Sequence, residues 1–226
     1  MRGTPKPIKK VYRTLLKVYR ETKKVLGSAL GLTTLPDYLI IGVQKGGTTS
    51  LQRYLEEHPQ VAAPVMKEVH YFSVHYEKGV SWYKQHFVLN RNTSKKIIGE
   101  ASPYYAFHPL APERILKLLP NVKLIILLRN PVDRAFSNYI MWNAKKRESH
   151  SFEDAIKKEQ KQFQQGFREA MNGQYSSIHR FSSYLARGRY AEQLKRLFKY
   201  FPKKQILVLH SEAFFAHPQK ETEKVF

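Results

Sequence analysis

A glycine-rich segment between an apolar run and a helical pattern carries the strongest chemical signal in the sequence. The apolar run at 38–43 leads into Gln44, and the next six residues are Lys45, Gly46, Gly47, Thr48, Thr49 and Ser50. Backbone N–H groups at the start of a helix bind tetrahedral anions, and the helix dipole adds to that attraction. Glycines let the backbone approach the anion closely, and the lysine adds positive charge. The segment therefore predicts a phosphate-type anion site between a strand and a helix.

The residue order in this loop separates it from the loop of nucleotide triphosphatases. Their loop reads G-x-x-x-x-G-K-[ST], so that the lysine follows the last glycine. Here Gly42 opens the loop, Lys45 precedes the glycine pair, and Thr48 stands where the lysine belongs. Those enzymes also hold Mg²⁺ with an acidic residue at the end of a neighbouring strand. The apolar run at 123–128 ends in Arg129 instead, which favours a nucleotide that is anionic at two places and needs no metal.

The two segments together resemble those of sulfotransferases that use 3′-phosphoadenosine 5′-phosphosulfate (PAPS). Residues 42–50 (GVQKGGTTS) are similar to the family's 5′-phosphosulfate loop, and residues 128–139 (LRNPVDRAFSNY) to its 3′-phosphate segment. Residues 67–72 (KEVHYF), 187–194 and 205–209 are most similar to the glycosaminoglycan type, such as heparan sulfate sulfotransferases and their bacterial relatives. The resemblance implies PAPS as co-substrate, adenosine 3′,5′-bisphosphate as product, no metal, and a carbohydrate or another hydroxyl or amine compound as acceptor.

The resemblance also implies a role for each residue of the two nucleotide segments. Lys45 would grip the sulfuryl group and stabilise the charge that develops on the leaving phosphate. Amides and hydroxyls of the loop and the first helical turn would hold the 5′-phosphate, namely those of Gly46, Gly47, Thr48, Thr49 and Ser50. Arg129 and Ser137 would bind the 3′-phosphate, because arginine is suited to a bidentate grip on phosphate. Arg134 is a weaker candidate for that phosphate, with Asp133 or a helix neighbour as its alternative partner.

Glu68 is the predicted general base. The acceptor hydroxyl loses a proton as it attacks sulfur, a carboxylate within hydrogen-bond reach can accept it, and Glu68 matches the family's catalytic glutamate. His70 is the rival base, because histidine titrates near neutral pH, and its alternative role is to orient Glu68. Glu100 and Ser102 are expected to line the cleft. Between them Ala101 stands where some heparan-sulfating relatives carry a lysine, and this departure weakens the case for a heparan-like acceptor.

Alternating strand and helix patterns must position these residues. Five apolar runs predict strands, at 38–43, 61–65, 96–100, 123–128 and 205–209. Helical patterns follow the glycine loop and cover 112–119, 132–144, 151–171 and 180–200, the last with a break near Gly188. The alternation predicts a three-layer α/β/α domain with a central parallel sheet, like that of P-loop nucleotide kinases.

Composition narrows the class of protein and its partners. The 226 residues include 39 Lys+Arg and 18 Asp+Glu, for a net charge of +21, and no cysteine. The missing cysteines exclude a disulfide scaffold, a cysteine zinc site and a thiol nucleophile. A hydrophobic fraction of 42% suffices for a core and excludes a disordered polycation. No apolar run approaches the roughly 18–20 residues of a membrane span, so the charge points to anionic partners in solution or at a surface.

Residues 1–35 are predicted as a basic amphipathic extension, and residues 36–226 as the sulfotransferase domain. The first 30 residues hold nine Lys/Arg and one acid, and Val11, Leu15, Val18 and Val25 recur at helical spacing. This helix suits an anionic membrane surface, or equally packing against the domain through its apolar stripe. Without a signal or anchor, the enzyme is expected to be cytoplasmic and peripheral at the membrane. Because the sequence stops within a helical pattern that starts near Pro218, we expect the domain to lack its C-terminal part.

Three other functions stay open at this point. A P-loop kinase or triphosphatase shares the strand–loop–helix unit and predicts Mg²⁺-dependent ATP binding. A nucleic-acid-binding module is suggested by the charge, but the sequence has neither a recognition motif nor basic residues interleaved with stacking aromatics, so no specific nucleic acid is predicted. A membrane-docked scaffold would depend on residues 1–30 for its function.

Overall fold

The structure, a computed structural model, describes residues 6–89 and 96–226, without the side chains of residues 6–10. A parallel sheet forms the centre of this described part, and its strand order is β2-β3-β1-β4-β5. The strands are β1 (Tyr38–Gly42), β2 (Val61–Ala62), β3 (Ile97–Ala101), β4 (Lys123–Leu128) and β5 (Ile206–His210). The predicted parallel α/β fold and its five strands are thereby confirmed.

Helices connect the strands and cover the sheet. They are α1 (Lys6–Ala29), α2 (Thr48–Glu57), α3 (Tyr71–Val74), α4 (Gly79–Lys84), α5 (Ala111–Leu118), α6 (Pro131–Ala144), α7 (Phe152–Met171), α8 (Ser177–Phe181), α9 (Tyr190–Tyr200), α10 (Ser211–Ala216) and α11 (Pro218–Glu223). The helical pattern at 180–200 is interrupted as predicted. A 3₁₀ turn at Ala186–Gly188 stands before α9. A Cβ atom on Gly188 would lie 2.9 Å from Cβ of Pro131, so the turn packs closely on the start of α6.

The core lies on both faces of the sheet. Leu124 and Ile126 of β4 belong to one hydrophobic cluster, and Ile125 and Leu127 belong to the other. All four side chains are buried. Successive side chains of a strand point to opposite faces, so a strand covered on both sides must be apolar throughout. This is why the Leu- and Ile-rich run predicts the centre of a three-layer domain.

The strand order brings the two nucleotide segments together. β1 lies between β3 and β4, so the connections that leave the carboxyl ends of β1 and β4 run to opposite sides of the sheet. Ligands of open α/β sheets bind in the crevice at such a switch point. The glycine loop follows β1, and Arg129 follows β4 directly. The fold therefore places both predicted anion-binding segments at one crevice.

The long helix α1 contacts the domain with its polar face. Its less exposed residues are Leu16, Arg20, Lys23, Lys24 and Gly27. A Cβ atom on Gly27 would lie only 2.6 Å from Cγ1 of Val88, so this glycine marks the closest approach. The apolar stripe faces away from the domain, and its side chains are exposed: Val11 59%, Leu15 63%, Val18 58% and Val25 66%. The alternative that this stripe packs against the domain is therefore wrong.

Candidate active site

The loop between β1 and α2 is fastened to β4 by backbone contacts. The amide of Val43 donates to the carbonyl of Leu127 (3.0 Å), and the amide of Gly46 donates to the carbonyl of Val43 (2.9 Å). A Cβ atom on Gly46 would lie 2.7 Å from the Leu127 carbonyl oxygen, a distance that real Cβ atoms do not show. Gly46 thus supplies close packing, and its N–H is used inside the loop. That this amide holds the 5′-phosphate stays a prediction.

The next three amides remain available as donors. Among the described residues, the N–H groups of Gly47, Thr48 and Thr49 donate to no backbone or side-chain acceptor. Gly47 has the left-handed φ of 99°, which glycine adopts without strain, and it precedes the first residue of α2. Unpaired N–H groups at a helix start carry the positive end of the helix dipole. The start of α2 is therefore suited to an anion, as predicted for the 5′-phosphate, and Ser50 is half-buried one residue further along.

Lys45 and Arg129 put two positive charges beside this helix start. The guanidinium of Arg129 donates from Nη1 to the carbonyl oxygen of Lys45 (3.1 Å), and the hydroxyl of Tyr190 donates to the Arg129 carbonyl (2.7 Å). Burial lowers the pKa of Lys45, and the nearby charges of Arg129 and Lys145 lower it further. An anion bound here would relieve that repulsion. Ser137 lies half-buried on α6, and its part in binding the same phosphate stays a prediction.

Glu68 and His70 lie in a segment whose backbone is hydrogen-bonded to buried side chains. Oε2 of Glu68 lies 3.5 Å from Nε2 of His70, and Oε1 lies 3.8 Å from Nζ of Lys67. The hydrogen bond from His70 holds the pKa of Glu68 below its usual range, and the charges of His70 and Lys67 act in the same direction. The Lys67 ammonium also donates to the hydroxyl of Thr49, which joins this segment to the helix start. Glu68 is therefore ionised at neutral pH and able to accept a proton.

The backbone of the predicted catalytic residues is strained. Among the described residues, four that are not glycine have a left-handed φ, and three of them are Lys45 (72°), Glu68 (57°) and His70 (56°). Such conformations cost on the order of 1–3 kcal/mol each and concentrate at functional sites. The surrounding structure must supply the contacts that hold them, and this supports the choice of these three residues.

A buried carboxylate supplies those contacts for the base segment. Glu100 is fully buried and accepts hydrogen bonds from the hydroxyls of Ser102 (2.7 Å), Tyr83 (2.8 Å) and Tyr105 (2.9 Å). The amide of Val69 donates to the same carboxylate, and the amide of His70 donates to Ser102 Oγ. Burial raises the pKa of Glu100, while its hydroxyl donors act against that rise. Glu100 and Ser102 therefore hold the segment of the predicted base, and the expectation that they line the cleft is wrong.

A small cavity of about 60 Å³ lies beside Glu68 and His70. Its lining also includes Tyr104, for which the sequence left sugar stacking and core packing as alternatives, and Trp142, Arg180 and Arg187, to which the sequence gave no role. Lys145 belongs to a charge run that the sequence leaves as either a solvated face or the rim of a cleft for an anionic acceptor, and its charge lowers the pKa of both Lys45 and Glu68. Two larger grooves, of about 650 and 700 Å³, contain none of the predicted site residues.

The side chain of Arg134 does not pair with Asp133, the partner that the sequence analysis considered. Its side chain is fully buried on α6, and its Nη2 donates to the carbonyl of Tyr184. Asp133 is exposed on the same helix. Arg134 therefore ties α6 to the segment before the 3₁₀ turn, and the Asp133 alternative is wrong.

Comparison with known proteins gives matches over most of the chain. The family model of the sulfotransferase domain matches residues 35–226. Human heparan sulfate glucosamine 3-O-sulfotransferase 3B1 is 33% identical over 198 residues, which are 88% of this chain and 47% of that protein. The membrane-associated sulfotransferase kil1 of Dictyostelium discoideum is 41% identical over 135 residues, which are 57% of this chain and 29% of that protein.

A solved structure shows the same fold. A crystal structure of a sulfotransferase from Alicyclobacillus acidocaldarius matches with a TM-score of 0.70 and 32% identity, over 85% of this chain and 79% of that one. The chain spans about half or less of the length of the two curated relatives described above.

Proposed function

The chain belongs to the sulfotransferase family, and from that premise we propose that it transfers a sulfuryl group from PAPS to a hydroxyl or amine of a carbohydrate acceptor. One observation carries the proposal. Within the part of the chain that the structure describes, the start of α2 offers three unpaired N–H groups next to Lys45, which Arg129 contacts, and Glu68 lies near the same helix start through the Lys67–Thr49 contact. This arrangement combines an anion site with a base, which is what sulfuryl transfer to a hydroxyl requires.

The proposed reaction is a direct in-line displacement. The acceptor oxygen forms a bond to sulfur while the bond between sulfur and the phosphate oxygen breaks, and adenosine 3′,5′-bisphosphate leaves. Glu68 takes the proton of the acceptor hydroxyl. Lys45 stabilises the negative charge that grows on the leaving phosphate. Like phosphoryl transfer, this reaction depends on positioning and on charge stabilisation more than on covalent help from the protein.

A carbohydrate acceptor is supported by the relatives. The human relative that matches 88% of this chain is named for the sulfation of heparan sulfate glucosamine. The matched proteins are sulfotransferases, so nothing among them favours the kinase alternative. Ala101, at the carboxyl end of β3, still argues for an acceptor that differs from heparan sulfate in detail.

Titration calorimetry with adenosine 3′,5′-bisphosphate tests the nucleotide site. We expect tight binding that is the same with and without Mg²⁺. We expect R129A to weaken it by about 10- to 100-fold, because a hydrogen bond to a charged group contributes about 1.5–3 kcal/mol. R189A is the matched control, since the Arg189 side chain is 62% exposed. Stronger binding of ATP with Mg²⁺, or equal affinities for the wild type and R129A, would contradict the proposal.

We also propose that α1 places the enzyme at an anionic membrane. Its apolar stripe faces solvent, while its exposed basic side chains include Arg13 and Lys17. A helix of this kind lies in the membrane interface with its apolar face among the acyl chains and its basic groups near anionic headgroups. Among the described residues no helix is long and apolar enough to cross a membrane. The proposed attachment is therefore peripheral, and the cytoplasmic location stays a prediction.

Co-sedimentation with lipid vesicles tests the membrane proposal. We expect the full chain to sediment with phosphatidylcholine vesicles that contain phosphatidylserine, and the combined V11S, L15S and V18S variant to remain in solution. F198S is the control, because Phe198 is also exposed but lies on α9. Deletion of residues 1–30 should abolish sedimentation and leave catalysis in solution largely intact. If the deleted and full chains sediment equally, the proposal fails.

A further inference from the structure

The side chain of Lys67 lies between the start of α2 and the predicted base. Its ammonium donates to the hydroxyl of Thr49, the second residue of α2, and its Nζ lies 3.8 Å from Oε1 of Glu68. The side chain is 34% exposed, so most of its length is covered by the protein. One cation therefore contacts both halves of the candidate active site.

The contact with Thr49 brings the charge of Lys67 to the wrong end of a helix. A lysine stabilises a helix at its C-terminal end, where the dipole is negative, whereas the start of α2 is the positive end. Burial lowers the pKa of Lys67, Glu68 raises it in part, and the charge of Arg53 on the same helix lowers it again. The protein therefore holds this ammonium where its charge is unfavourable unless an anion lies beside it.

Two lysines from different segments meet at this helix start. Lys45 comes from the loop before α2, and Lys67 comes from the segment before α3. Burial lowers the pKa of both side chains, and neighbouring cations act in the same direction. In the described part of the chain, Lys67 pairs with the carboxylate of Glu68 and Lys45 pairs with no carboxylate. The helix start thus holds more positive charge than its own acid balances.

The charge of the proposed co-substrate matches two lysines better than one. The 5′-phosphosulfate group of PAPS carries one negative charge on its phosphate and another on its sulfuryl group. The 5′-phosphate of adenosine 3′,5′-bisphosphate keeps a similar charge after transfer. An ammonium has three N–H donors, of which Thr49 uses one, so Lys67 has donors left for anion oxygens. A hydrogen bond to a charged group is stronger than one to a hydroxyl, so an anion would compete well for this lysine.

We propose that Lys67 binds the 5′-phosphosulfate group of PAPS as a second cation beside Lys45. The inference rests on the proposed sulfotransferase function and adds a binding residue to the same site. Lys67 donates to oxygens of the 5′-phosphosulfate while it stays next to Glu68. The nucleotide and the base thereby share one neighbour, which keeps the group to be transferred close to the carboxylate that accepts the proton.

Two nucleotides that differ only in the 5′-phosphate test the inference without requiring turnover. Adenosine 3′,5′-bisphosphate is titrated by calorimetry, and adenosine 3′-monophosphate is measured as its competitor. We expect K67M to weaken the bisphosphate about tenfold, because a charged hydrogen bond is lost from a partly exposed position, and to leave the monophosphate unchanged. K157M is the charge-matched control, since Lys157 is 71% exposed on α7, and it should bind both nucleotides like the wild type. K67Q is the second variant should K67M unfold.

Failure of the inference is distinguishable from failure of the proposed function. If the variant binds the bisphosphate as tightly as the wild type does, Lys67 is a partner of Glu68 alone and the inference is overturned while the nucleotide site stands. Equal losses for the two nucleotides overturn it as well, because they indicate a structural role. If the wild type binds neither nucleotide, the proposed function fails. Inorganic pyrophosphate is then titrated into the wild type and K67M: tighter binding by the wild type supports the anion contact, and equal or no binding overturns it.

Discussion

Replacing Lys45 with methionine should lower the rate constant of sulfuryl transfer by about 100- to 1,000-fold, the usual effect of removing one group that stabilises a transition-state charge. Methionine, like lysine, has an unbranched side chain, and both residues are equally strained in the left-handed backbone conformation of this position. The lost ammonium is therefore the main change. The affinity for adenosine 3′,5′-bisphosphate should fall less than it does in R129A, because Lys45 acts on charge that develops during transfer. Single-turnover rates with radiolabelled PAPS measure the first effect, and calorimetry measures the second.

The pH dependence gives a second readout of Lys45. Burial and the neighbouring charges of Arg129 and Lys145 lower the pKa of Lys45, so the ammonium loses its proton at lower pH than an ordinary lysine. Since the charged form is the active one, the rate should fall as the pH rises through that lowered pKa. K157A is the control, because the Lys157 side chain is 71% exposed on α7. A K45M variant with the wild-type transfer rate would remove Lys45 from the mechanism.

The parts of the site that are local in sequence were predictable. The glycine loop, its lysine and the hydroxyl residues form one short stretch, and the Leu- and Ile-rich run marks the neighbouring strand that ends in Arg129. Local spacing did not reveal how Gly46 is used. Its amide turns back to Val43, and this depends on the approach of Leu127 from another strand. Sequence spacing specifies which groups are near one another, but it does not specify which N–H group donates a hydrogen bond within the loop.

The parts of the site that depend on long-range packing were not predictable. Glu100 was expected to line the cleft. Only the folded chain shows that Tyr83 and Val69 reach it from other elements. The cavity beside the base likewise combines Tyr104, Trp142 and Arg187, which are distant in sequence. A single arginine in a sequence is interpreted as a surface charge, and a single tryptophan as part of the core. No local sequence pattern distinguishes either of them from a residue that binds substrate.

Replacing Glu68 with glutamine should lower the turnover number by about 100- to 10,000-fold, which is the range expected for loss of a positioned general base. Glutamine fills the same space and can still contact His70, but it accepts no proton. His70 holds the pKa of Glu68 below the usual range, so the acid limb of the wild-type rate should lie at acidic pH, where the pH drops through that lowered pKa. E68Q should lose this acid limb, and initial rates across a pH series measure it.

The variant His70→Asn distinguishes the two candidates for the base. Asparagine adopts the left-handed conformation of this position more readily than most residues, so the backbone at a φ of 56° is not the main change. If Glu68 is the base and His70 orients it, H70N removes the hydrogen bond that lowers the pKa of Glu68. The acid limb of the rate then moves to higher pH while activity above that limb is kept in part. If His70 is the base, H70N abolishes activity and E68Q retains most of it. Glu100 and Ser102 hold the backbone of this segment in both H70N and E68Q. The comparison of the two variants therefore reports on the side chains that accept the proton.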